Sequence, residues 1–222
     1  MNKNIRFFSI LINIAVPVFL IMTSIRILIN PFYLDYEYNL PSFPADEFGF
    51  STQDRLHWGK LSLEYLTNSA GPEFLGDLLF DDGQPIYDER ELSHMLDVKN
   101  LVQLMIKIWI PLTVFLLIAG VLAWRTGWLS QFWKAVSRGG WLTLGLIGLI
   151  LAVVVLNFDA LFTGFHLIFF TGDTWLFFSD DTLIRLFPEK LWSDAFIFTG
   201  VFTLAGAVIC AFTGARLSQK IK

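Results

Sequence analysis

FDALFTGFHLIFFTGDTWLFFSDDTLIRLFPEKLW, residues 158–192, is the stretch around which the rest of the chain can be ordered. It is crowded with Phe and Trp, yet it holds five carboxylates together with His166, Arg185 and Lys190. A charge at the centre of a bilayer costs about 2.5–3.5 kcal/mol, so this segment is too charged to span one. It is also too apolar for an ordinary surface loop. Aromatic rings interleaved with charges suit the boundary between lipid and water, where a ring lies in the apolar zone and its polar edge stays wet. The segment is therefore expected to lie on or dip into one face of a membrane, with His166 at the depth of lipid ester groups.

Reading outward, apolar runs flank it on both sides. Residues 141–158 form a span before it, and residues 194–215 a span after it, capped by Ser193 or Asp194. Two more lie upstream, at 101–123 and at 7–29, the last about 35 Å of helix at 1.5 Å per residue. The run at 7–29 is long for a signal peptide, and Asn30-Pro31-Phe32 after it reads as a helix stop. The expectation is an all-α membrane protein. It has four transmembrane helices in a single integral domain over residues 1–222, with external segments at 31–100 and 159–193.

Charge placement supplies an orientation. All 20 carboxylates lie between Asp35 and Asp97 or between Asp159 and Asp194. The N-terminus, the connection at 124–140 and the C-terminus hold eight of the 16 Lys and Arg and no acid. By the positive-inside rule both termini are cytoplasmic, and both acid-bearing segments, with all three histidines, face outward.

The long first outer segment is expected to be mostly helical. Ser51-Thr-Gln-Asp54 has capping-box spacing and opens a helix to about Thr67; Asp88-Glu-Arg-Glu91 repeats the spacing and opens a helix running to about Ala123. Between them, Asn68 to Pro85 reads as a loop with a short hairpin near Asp81-Asp82-Gly83. Tyr33, Tyr36 and Tyr38 read as an interfacial aromatic cluster, and the basic 124–140 stretch as a short connection before the third span. Cys210 is the only cysteine, which excludes an intramolecular disulfide and a Cys-rich metal site. No Gly-rich phosphate loop, nucleophile elbow or nucleic-acid patch is present.

Histidine is the side chain best suited to moving protons near neutral pH. His94 and Asp97 share one helix face, so the carboxylate is placed to orient the ring. Asp159 and Asp173 are alternatives for His166. Arg26, Lys107 and Arg185 are cations able to meet a developing oxyanion, although Arg26 also fits simple snorkelling to the headgroups. His57 reads as a surface or packing histidine. Catalytic, structural and metal-binding roles stay open on residue types alone. His94, Asp97 and His166 would be the metal ligands, but no HExxH or CxxC spacing supports them.

Four short stretches, around His94 and around and after His166, carry a resemblance. Glu91-Leu-Ser-His-Met-Leu-Asp-Val-Lys99, together with Phe165-His-Leu-Ile-Phe-Phe170, Gly172-Asp-Thr-Trp175 and Leu183-Ile-Arg-Leu-Phe-Pro188, resembles a bacterial four-span membrane family that includes the lipoprotein intramolecular transacylases. The resemblance covers the whole chain. It implies an acyltransferase in the cell membrane with no cofactor, acting on membrane lipid and a diacylglyceryl lipoprotein, with its site on the outer face. The sn-2 acyl chain would move from glycerol to the α-amino group of the N-terminal cysteine, leaving a lyso-form lipoprotein. His94 and His166 match the family's two catalytic histidines. The competing expectation is a non-enzymatic four-span scaffold docking through its acidic first loop; a lipid-directed metal hydrolase is a third.

Overall fold

The computed structural model describes residues 3–221. Among the described residues the chain is helical, with no strand beyond an isolated bridge between Leu79 and Pro85. Four helices are long and apolar enough to cross a membrane: α1 (Lys3–Leu28), α5 (Glu89–Arg125), α6 (Leu129–Leu156) and α9 (Glu189–Lys220). Shorter helices lie between them: α2 (Pro31–Tyr38), α3 (Thr52–Thr67), α4 (Glu73–Gly76), α7 (Phe158–Phe169) and α8 (Thr182–Leu186). The chain divides into two compact units. The first is Met1–Ile27, Ile106–Leu156 and Phe196–Lys222; the second is Leu28–Met105 and Asn157–Ala195.

The first unit contains no carboxylate and is built on apolar helix faces. Its core joins Ile12 and Val16 of α1, Ala119 and Ala123 of α5, Trp128, and Phe132, Ala135 and Val136 of α6. Lipid offers no hydrophobic gain for helix association, so small residues and polar bonds carry it. A Cβ added at Gly140 would stand 2.6 Å from Ala211 N, and one at Gly214 would stand 2.7 Å from Trp133 O, so glycine lets α6 and α9 approach. Ser137 Oγ donates to Ala211 O at 2.7 Å, Trp109 Nε1 to Thr23 Oγ1 at 2.9 Å, and Thr203 Oγ1 to Ser24 Oγ at 2.9 Å.

Three boundaries differ from the reading of the sequence. α6 begins at Leu129, not Trp141, because Phe132, Ala135 and Val136 recur at helical spacing and are buried in the core. α9 begins at Glu189, directly after Pro188, so Ser193 and Asp194 lie inside it; Asp194 takes Lys190 Nζ at 2.5 Å. Asn30-Pro31 stops α1 but also starts α2, with Asn30 accepting from Phe32 N and Pro31 in the first turn, where its missing N–H costs nothing.

The second unit carries all 20 carboxylates. Both capping boxes form. Ser51 Oγ accepts from Asp54 N while Asp54 accepts from Ser51 N. Asp88 Oδ1 accepts from Glu91 N while Glu91 Oε2 accepts from Asp88 N. The hairpin at Asp81-Asp82-Gly83 is present, with Gly83 at φ 82° and Phe80 N donating to Gln84 O. The core of the unit joins Tyr65, Leu66, Leu75, Ile86, Tyr87 and Met95 to Leu183 and Leu186.

Candidate active site

Several polar ties hold residues 31–100 against residues 157–195. Tyr33 and Tyr38, expected at a lipid interface, are instead buried, with their hydroxyls donating to Leu191 O and Leu186 O. Arg55 Nε donates to Arg185 O at 2.8 Å, and Arg185 pairs with Asp46 at 3.0 Å while lying over the Phe50 ring at 3.5 Å. Arg90 pairs with Asp181 at 2.7 Å. Buried Glu91 accepts from Leu183 N at 2.7 Å, in addition to its capping bond. Burial pushes this carboxyl up to about 7, against the pull of its two N–H donors.

These ties bring two imidazoles together. His94, in the second turn of α5, and His166, in the last turn of α7, lie with ring centroids 6.1 Å apart and planes 19° from parallel. Each residue is only 8% exposed. Aromatic rings surround the pair. Phe170 and Phe177 meet His94 at 5.0 and 5.3 Å; Phe162 and Trp175 meet His166 at 4.2 and 4.8 Å.

The surroundings set the protonation of both rings. Burial, and after it the neighbouring His166, pushes His94 down to about 4. Burial also lowers His166, outweighing the Phe162 carbonyl, which favours the charged ring. Both imidazoles are therefore neutral at pH 7. His166 Nδ1 lies 2.7 Å from Phe162 O, one turn back in α7. A carbonyl only accepts, so Nδ1 carries the proton and Nε2 presents a lone pair. His94 Nδ1 is buried with no hydrogen-bond partner among the described residues.

The expected supporting residues fare unequally. Asp97 is half-buried and does not bond His94 Nδ1. Asp159, in the first turn of α7, and Asp173 are exposed. Arg185 is engaged by Asp46, Phe48 O and the Phe50 ring. Arg26 lies in the last turn of α1 and belongs to the first unit, as does Lys107. His57 packs edge-on against Trp58 at 4.4 Å. Among the described residues no three His, Cys, Asp or Glu side chains converge in a way that would hold a metal ion.

Sequence reasoning assigned none of four ring neighbours to the site, although Phe170 and Trp175 close two of the stretches that carry the resemblance. Phe162 was accessible to it, since it precedes His166 by one helical turn. Phe170, Trp175 and Phe177 lie outside helices, where no periodicity points to a shared neighbour. Arg90 lies over the Phe177 ring at 5.5 Å and was likewise passed over.

A sequence model of the family described as lipoprotein intramolecular transacylase Lit matches residues 10–192. An uncharacterized protein of Aquifex aeolicus is 28% identical over 206 residues, covering 93% of this chain and 92% of its own. The in meso structure of the membrane integral lipoprotein intramolecular transacylase Lit from Bacillus cereus superposes with a TM-score of 0.82 at 17% identity, covering 99% of this chain and 98% of that one. A structure of the same Bacillus cereus protein with a histidine-to-alanine mutation gives 0.71 at 18% identity, over 97% and 94% of the two chains. At such identity the solved structures establish the shared fold, and the family match extends over most of the chain. With four apolar helices, this is a multi-pass membrane protein. The chain belongs to the lipoprotein intramolecular transacylase family and is an acyltransferase-type enzyme.

Proposed function

We propose that His94 and His166 are the catalytic imidazole pair of a lipoprotein intramolecular transacylase working at the outer face of the cell membrane, His166 moving the proton and His94 steadying the leaving oxygen. The observation that carries this reading is the pairing of two buried, neutral imidazoles 6.1 Å apart in an aromatic surround. An amine attacking an ester must lose a proton, and the departing alkoxide must gain one. Two neutral imidazoles beside one reacting carbon suit both tasks.

His166 is the base. Its Nδ1–H is held by Phe162 O, so Nε2 takes the proton from the α-amino nitrogen of the substrate cysteine as the new N–C bond forms. The tetrahedral intermediate then breaks its C–O bond to glycerol. The imidazolium of His166 returns the proton to that oxygen, and an N–H of His94 donates a hydrogen bond to it. The acyl chain ends on nitrogen, the glycerol sn-2 oxygen ends as a hydroxyl, and no outside reactant is consumed. A low-dielectric surround strengthens each of these hydrogen bonds.

Two observations support the membrane setting. All carboxylates fall in the unit that holds the histidines, and eight cations cluster at the termini and the 124–140 stretch, as the positive-inside rule requires of an outward-facing site. Leu167, Ile168, Phe169 and Phe178, on the segment carrying His166, are 51–76% exposed, an apolar surface fit to meet lipid. The experiment is expression in a host lacking N-acylating enzymes, followed by mass spectrometry of lipoprotein N-termini. N-acyl lyso-form product is expected, and its disappearance with His166→Ala. Only diacylglyceryl cysteine with a free amine from the wild type would overturn the reading.

A further inference from the structure

A transacylation places negative charge on the acyl carbonyl oxygen at the tetrahedral stage, and that oxygen requires hydrogen-bond donors. The obvious cation of the second outer segment, Arg185, is spent on Asp46 and Phe48 O. We propose that the indole N–H of Trp175 is the donor that holds the acyl carbonyl oxygen as it becomes the oxyanion. This assignment rests on the transacylase reading and adds to it a donor aimed at the acyl carbonyl oxygen, where His94 serves the leaving glycerol oxygen.

Three features carry it. Trp175 lies 4.8 Å from His166, ring to ring, so it borders the reacting atoms in that reading. Its Nε1 is buried and has no hydrogen-bond partner among the described residues. An indole nitrogen can only donate, and a buried donor left without an acceptor is costly, so such groups normally have a use. Third, the two rings are tilted by only 32°. The N–H lies in the indole plane and so runs more nearly along the imidazole face than into it, which leaves it unspent on the His166 π-system.

The neighbouring Thr174 Oγ1 and the His94 Nδ1 are also buried without partners among the described residues. Two of these unpartnered atoms thus belong to the sequence neighbours Thr174 and Trp175, and the third to the imidazole 6.1 Å from His166, a ring pair otherwise walled by Phe162, Phe170 and Phe177. A ligand carrying a single carbonyl between long apolar arms, as a fatty ester does, matches that mixture of chemistry. The N–H stays on the indole throughout; the oxygen gains a hydrogen bond and no proton.

The test replaces Trp175 with 3-benzothienylalanine, which keeps the ring size and puts sulfur in place of the N–H, and separately makes Trp175→Phe. Each purified protein is given a synthetic diacylglyceryl lipopeptide with a free terminal amine, and the N-acyl product is followed by mass spectrometry. The expected result is a fall in kcat of about 100-fold or more for both variants, the loss typical of one oxyanion donor, with KM nearly unchanged. A sulfur analogue as fast as the wild type overturns the assignment, and it does so even if Trp175→Phe is slow, since the ring's packing would then be its role. A wild type inactive on the lipopeptide would instead remove the transacylase reading and this assignment with it.

Discussion

Glu91, three residues before His94, accepts a hydrogen bond from the backbone N–H of Leu183 at 2.7 Å. Its other oxygen closes the capping box of α5 at Asp88 N. One buried carboxylate thereby fastens the helix that bears His94 to the segment at 158–192, which bears His166. Glu91→Gln keeps the shape but turns one acceptor into an NH2 group facing an N–H. We expect a stability loss of about 1–3 kcal/mol, the cost of an unsatisfied buried group, read as a lower unfolding midpoint in detergent. Activity should fall along with it, because the two imidazoles lose their common anchor.

His94→Ala and His166→Ala should each reduce kcat/KM by about 100- to 10,000-fold, the range for a positioned acid or base. In the proposed step both rings act on the same bond exchange, so the double variant should be little slower than the worse single one. Initial rates on lipopeptide check this. Losses that multiply would mean that the two histidines act in separate steps.

The pH profile follows from burial. His94 is held at about 4 and so stays neutral well into the acid range, while burial holds His166 below its ordinary value. The acid limb of kcat/KM should therefore fall below the usual histidine value of about 6.5. Stability has the same sign. The unfolded chain binds protons at these sites first as pH falls, so the contribution of His94 is full above about 6.5 and is lost on acidification through about 4. Unfolding midpoints measured between these limits should drop with pH, and should drop less in His94→Ala.

Arg185 and Asp46 form a pair whose side chains are 13% and 2% exposed. Removing one partner strands the other, so Asp46→Ala should cost about 3–5 kcal/mol. The double replacement with Arg185→Ala should cost less than the sum of the two singles. Thermal unfolding of the four proteins closes the cycle. A purely additive result would free Arg185 for the oxyanion role that its sequence position first invited.

Hydropathy, charge sign and capping spacing are properties of the chain taken one stretch at a time. They were enough for four spans, for both capping boxes and for the confinement of all carboxylates to the segments that carry the histidines, since helix length and first-turn hydrogen bonds depend on neighbours a few residues away. Partnership across the fold was beyond them. Asp97 stands at the right helical offset to orient His94, yet His94 Nδ1 is closed off without it, and Tyr33 and Tyr38 turn inward to cap distant carbonyls. The neutrality of the two imidazoles, the approach of Trp175 to one of them and the diversion of Arg185 to Asp46 arise only when segments remote in sequence exclude water from each other. Desolvation sums over everything packed around a group, and that sum exists only in the folded protein.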